Sequence, residues 1–183
     1  MIKGGMKMYI IRRRLNKVHP RIHKCGKKCS DFLKLDGLYK MYSIRNGHKV
    51  QIDEKHNTIM NDVYKRVVRA FTIYSLAYHY QIRYLAIGDD TTPVTANDTA
   101  LGNETYRTRY VVRNETSNGV LTTDFYITAT EFNDDIEELG VFGGTFATVS
   151  TGTGNLLSHV LWSYTKENTE ELLIEYQLTA QAA

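Results

Sequence analysis

The alternation of apolar and polar positions along the chain predicts a β-rich protein with one helix. From Leu38 onward, Tyr39, Met41 and Ser43 fall on one side and Lys40, Tyr42 and Ile44 on the other. A period of two marks a half-buried strand. Asn46-Gly47 follows. Both residues tolerate the positive φ of a type I′ turn, so a hairpin returning over 48–53 is expected. The period then changes. Met60, Val63, Tyr64, Val67, Phe71 and Tyr74 recur at three- and four-residue steps, with Lys65, Arg66 and Arg69 on the opposite face. This predicts a helix over 61–78, capped by Asn61 or Asn57.

Strand-like runs return at 82–88, 105–113, 119–130, 136–142, 156–165 and 171–179, separated by segments rich in Asp, Asn, Thr and Gly. No repeat of 20 to 50 residues interrupts them. The expected fold is mainly β. It is an antiparallel β-sandwich or open barrel over 34–183, with one principal α-helix covering an end or edge. The segment 89–104 is the longest connection, and connections of that length are usually functional or interfacial.

Composition changes this picture little. Of 183 residues, 42% are hydrophobic and 23% charged, as in an ordinary globular chain. No apolar run approaches the roughly 20 residues that cross a bilayer, and the basic N-terminus lacks an apolar signal core. The expectation is no membrane association and synthesis in a cytoplasm.

Charge changes it more. Residues 1–50 carry 14 Lys and Arg against 2 Asp and Glu, whereas 51–183 carry 9 against 18. Residues 1–33 are therefore read as an extended basic arm that orders on an anionic partner. Arg12, Arg13, Arg14, Arg21, Lys24, Lys27 and Lys28 are its candidate partner-binding residues. Non-specific DNA contact is one use for them. Docking on the acidic body of a neighbouring copy is at least as good a use, since aromatic residues for base stacking are few.

Within the arm, His19-x3-His23-x-Cys25-x3-Cys29 holds both cysteines of the chain. Two imidazoles and two thiolates suit tetrahedral zinc, and the neighbouring lysines favour thiolates. The spacing matches no standard finger, so free thiols or one local disulfide is the plainer expectation. A structural zinc on His19, His23, Cys25 and Cys29 is the alternative, and no other cofactor is expected.

Carboxylates recur at Asp134-Asp135, Glu137-Glu138, Glu167, Glu170 and Glu171. On strands and turns they are expected as solvated edges. The oxygen-rich set Asp89, Asp90, Asn97, Asp98 and Asn103 lacks the order of a calcium loop and is expected to serve turns. His159 is expected to be packed. Patterns for a Ser/His/Asp triad, a phosphate loop, a dinucleotide fold or a zinc hydrolase are absent.

A further order of pieces is visible: Asn57-Thr58-Ile59, the helix, Ile82 to Gly88, the long loop, Thr99-Ala100-Leu101-Gly102-Asn103-Glu104, two strands, and Glu138-Leu139-Gly140-Val141-Phe142. In order and spacing this resembles the small β-domains of tailed-bacteriophage structural proteins, found in tail-fibre, collar and baseplate components. The resemblance covers roughly residues 34–180. Asp89-Asp90 stands where a small, glycine-rich step would be expected.

The resemblance implies a non-enzymatic virion protein, an oligomeric adaptor in the tail, collar or baseplate that docks a fibre or neighbouring component. Its partners would be other copies, in a ring or trimer, and other virion proteins. A receptor- or carbohydrate-binding module, or a capsid decoration or head-fibre protein, is the alternative. The adaptor is preferred because the chain stops at Ala183, right after its last predicted strand. The resemblance also marks Asn57, Gly88, Leu101, Glu104, Glu138, Gly140 and Phe142 as structural. Glu138, inside an apolar strand, needs a partner, and Arg107 or Arg109 is expected to supply it.

Overall fold

A computed structural model of the chain describes residues 33–70, 81–116 and 119–182. The arm, with its predicted zinc and partner-binding residues, lies outside the described residues, as does the second half of the predicted helix.

The first alternating run forms β1 (Leu33–Arg45) and the returning run β2 (His48–His56). Asn46 and Gly47 take φ of 52° and 77° between them, as a type I′ turn requires. A two-residue strand, β3 (Thr58–Ile59), precedes α1 (Asn61–Ala70). Then follow β4 (Ile82–Gly88), β5 (Glu104–Glu115), β6 (Val120–Ile127), β7 (Asp135–Gly143), β8 (Asn155–Thr165) and β9 (Glu171–Ala182). The helix begins four residues after Asn57, so Asn57 is not its cap. Asp62 in the first turn complements the helix dipole and pairs with Arg66.

Every pairing is antiparallel, in the order β2-β1-β9-β6-β5-β4-β7-β8-β3. The sheet curls into a nearly closed barrel because one segment works at both of its ends. Residues 48–56 pair with β1, and after the single residue Asn57 the next two, Thr58 and Ile59, pair with His159 and Ser158 of β8. Asn57 is the joint. Its amide N–H donates to the Gly37 carbonyl at 3.1 Å, and its side chain packs over the Gly37 backbone.

The interior is filled by inward residues of both ends of the sheet, among them Met41, Leu85, Phe125, Leu139, Val141 and Ile174. Each such side chain contributes about 1.5–3 kcal/mol on leaving water. On the inner face Tyr39 and its β9 partner Tyr176 pack with ring centroids 4.8 Å apart, and Tyr39 reaches across the barrel to share a 2.7 Å hydrogen bond with Ser158. An apolar space of about 180 Å³ remains between Val63 and Val67 of α1 and Leu157 and Tyr176 of the sheet.

Most of the recurring carboxylates are at or near the surface, but Glu170 is buried. It accepts hydrogen bonds from Ser43, from the Tyr164 hydroxyl at 2.8 Å and from the Glu167 amide at 3.3 Å. This fastens the β8–β9 turn to the first hairpin. Beside it buried Lys166 donates to Asn133 at 2.7 Å and to the carbonyls of Ala129 and Glu167.

Candidate functional site

The outer face of β4, β7 and β8 is where the resembling pieces meet. Register dictates this. Gly88 pairs with Glu138 and with Glu104, Ala86 with Gly140 and Arg107, and Tyr84 with Phe142, while Gly140 also pairs with His159. Directly paired residues share a face, so all these positions point away from the barrel interior. Two loops cover them. Leu101 of the 89–103 loop sits on Gly140, where an added Cβ would lie 2.7 Å from Leu101 and 2.8 Å from Leu156. Gly88 leaves room for the Glu138 carboxylate in the same way. The structure thus brings Gly88, Leu101, Glu104, Glu138, Gly140 and Phe142 together. Asn57 is not among them.

Glu138 is 1% exposed. It does not pair with Arg107 or Arg109. Its partners are the backbone N–H groups of Gly102 at 3.0 Å and Asn103 at 2.9 Å, and the His159 Nε2 at 2.8 Å. The other ring nitrogen, Nδ1, lies 3.1 Å from Asp98 Oδ2. His159 is buried, as expected of a packed residue, and it bridges two carboxylates from two elements. Sequence spacing carried no sign of this bridge, because His159 reaches Glu138 only through the β7–β8 register.

Arg107 has a different assignment. Residue Thr105 is an extra residue in the β4–β5 register, since Ile87 pairs with Tyr106 and Gly88 with Glu104. Such a bulge re-aims the side chains on its strand and puts Glu104 on the face of Arg107. The two meet through paired contacts of 2.5 and 2.7 Å. The Arg107 side chain is fully buried, with its guanidinium 4.2 Å from the centre of the Phe142 ring. Its remaining donors reach the carbonyls of Thr148 at 3.2 Å and Thr153 at 2.6 Å, and Glu104 accepts the Gly152 N–H at 3.0 Å. A buried ion pair therefore fastens the loop between β7 and β8. On that loop Phe146 and Val149 are 74% and 69% exposed.

The 89–103 loop is tied by short local turns. Asp90 accepts from the Thr92 amide and hydroxyl, and these bonds hold its carboxyl below the usual value. Burial pushes the Asp98 carboxyl up, but bonds from the Thr95 hydroxyl and amide, with His159, hold it below the usual value overall. Asn103 Nδ2 donates to Asp89 at 2.7 Å. Asp89-Asp90 thus serves the loop as turn-forming acceptors, as expected of Asx residues.

A cleft of about 130 Å³ opens over Asp90, Asp98, Glu138 and His159. With both ring nitrogens against carboxylates, His159 presents no free nitrogen to a reactant in this arrangement. No group of three or more His, Cys, Asp and Glu among the described residues is placed to hold a metal ion. No helix among them is long and apolar enough to cross a membrane. Comparisons with protein-family models, with curated proteins and with solved structures give no match.

Proposed function

We propose that this chain is a non-enzymatic structural module of a phage particle, an oligomeric adaptor of the tail, collar or baseplate. The observation that carries the reading is the loop bearing Phe146 and Val149. Two large apolar side chains stand in water on a loop held by the buried Arg107–Glu104 pair. A pre-ordered apolar projection loses little entropy on docking, which suits permanent assembly. Its setting, built from the pieces that resemble phage β-domains, supports the same reading. So does the charge split between residues 1–50 and the acidic remainder, which favours copies that donate an arm and accept one.

The test uses the full chain and two variants, Phe146→Asp and a form lacking residues 1–30. The full chain should sediment as a closed oligomer that weakens with salt, because exposed ion pairs are screened. Both variants should stay folded by circular dichroism and lose assembly. A full chain that stays monomeric at low salt and high concentration contradicts the adaptor reading. Its place in a particle is read by locating the subunit in a particle map.

One observation favours the second reading, a carbohydrate- or receptor-binding module. Gln81, Arg83, Tyr84, Arg109 and Tyr110 line a polar basin of about 210 Å³, with the aromatic and bidentate donors that sugars engage. Saturable glycan binding abolished by Tyr110→Ala would favour it over the adaptor.

A further inference from the structure

His159 joins the barrel to the 89–103 loop through a bridge whose completeness depends on one proton. A neutral imidazole has one N–H donor, and only the imidazolium has two. Yet both nitrogens face carboxylate oxygens, Nε2 to Glu138 at 2.8 Å and Nδ1 to Asp98 at 3.1 Å. Asp98 Oδ2 already accepts the Thr95 amide at 2.9 Å and its other oxygen accepts the Thr95 hydroxyl, bonds that favour the carboxylate. Among the described residues, the charged groups that interact with the ring are Glu138 from β7 and Asp98 and Asp90 from the loop. The β3 residue paired with His159 is the uncharged Thr58.

We propose that His159 is a proton-operated latch: the imidazolium holds both Glu138 and Asp98, and the neutral ring holds Glu138 alone and releases Asp98. The choice of which bond survives follows from burial. The Glu138 side chain is 1% exposed and cannot exchange the ring for water, whereas that of Asp98 is 25% exposed and can. The released carboxylate would otherwise face the lone pair of Nδ1.

The consequence travels through Asp98. Its carboxylate holds the Thr95–Asp98 turn, and that turn receives the start of α1. The Asn61 amide donates to the Ala96 carbonyl at 2.8 Å, and Asn61 Nδ2 donates to Asn97 Oδ1 at 2.9 Å. One proton on a buried ring therefore sets how tightly the outer loop and the first turn of the helix are joined to the barrel. This holds whichever function the outer face serves.

The experiment is nuclear magnetic resonance on the full chain from about pH 5 to 9. The ring nitrogens of His159 should pass from doubly protonated to the Nε2–H tautomer. The Thr95, Asp98 and Asn61 amide signals should move with the same midpoint. Amide exchange in 95–98, corrected for its intrinsic pH dependence, should rise at least about tenfold across that midpoint, the equivalent of one charge-assisted hydrogen bond. In His159→Gln the pH response of these signals should vanish. If that variant does not fold, the wild-type titration decides alone. Loop signals that stay flat while the ring titrates, an Nδ1–H neutral tautomer, or a ring that keeps one protonation state throughout would overturn the latch.

Discussion

The two halves of the barrel bury their strands differently. In β1, β6 and β9 buried residues alternate with partly exposed ones, because only the interior face is covered. In β4 and β7 burial is continuous from Leu85 to Gly88 and from Glu138 to Gly143. The reason is the second layer, the 89–103 and 144–154 loops lying on the outer face. The open half is stabilised by apolar packing on one side. The covered half adds small residues at close approaches and buried charges that hold loops. Stability and specificity are therefore unevenly distributed, and the covered half is where substitution should be costly.

The largest difference should come from the buried charges. Arg107→Met leaves Glu104 uncompensated and should cost about 3–5 kcal/mol in urea unfolding. Lys40→Met on the open half removes a pair at 3.8 Å whose side chains are about a quarter exposed. It should cost no more than about 1 kcal/mol. Equal costs would erase the distinction.

The interior has its own weakness in alkali. Burial pushes the Tyr176 hydroxyl up to about 12 and raises Tyr39 as well. A raised folded value gives stability that is complete below the unfolded value near 10 and lost as pH climbs towards the folded one. Tyr176 alone should contribute about 2 kcal/mol to the loss between pH 10 and 12, read as a fall in urea midpoint over that range. Tyr176→Phe should remove the Tyr176 share of that fall and leave the share due to Tyr39.

Volume separates the halves more gently. Gly140→Val should cost about 1–3 kcal/mol because Leu101 and Leu156 already occupy the space. Thr122→Val, outward on the open half, should stay within about 0.5 kcal/mol. A neutral Gly140→Val would mean that the loop does not sit tightly on β7.

The open half was the more legible in sequence. Alternation from Leu38 and the Asn46-Gly47 turn placed β1 and β2, and the runs from 82 onward placed every later strand within a few residues. The two-residue β3 escaped because it has no period to detect. In the covered half the residues themselves were visible, since the resemblance singled out Gly88, Leu101, Glu104, Glu138, Gly140 and Phe142. Their partners were not. Arg107 was expected on Glu138, but the bulge at Thr105 turns Glu104 towards it, and a bulge leaves no composition signal. His159 reaches Glu138 only through strand register and Asp98 reaches His159 only through loop closure, and register is a tertiary property. Glu170 was grouped with solvated edge carboxylates because nothing local distinguishes a buried acceptor from an exposed one.

The two outer loops thus form a fixed second layer on β4, β7 and β8. Hydrogen exchange on the full chain at neutral pH tests it most directly. The amides of Gly102, Asn103 and Gly152, bonded to buried Glu138 and Glu104, should be protected to the same order as those of β7. Exchange of these three amides at free-peptide rates, while β7 stays protected, would contradict it.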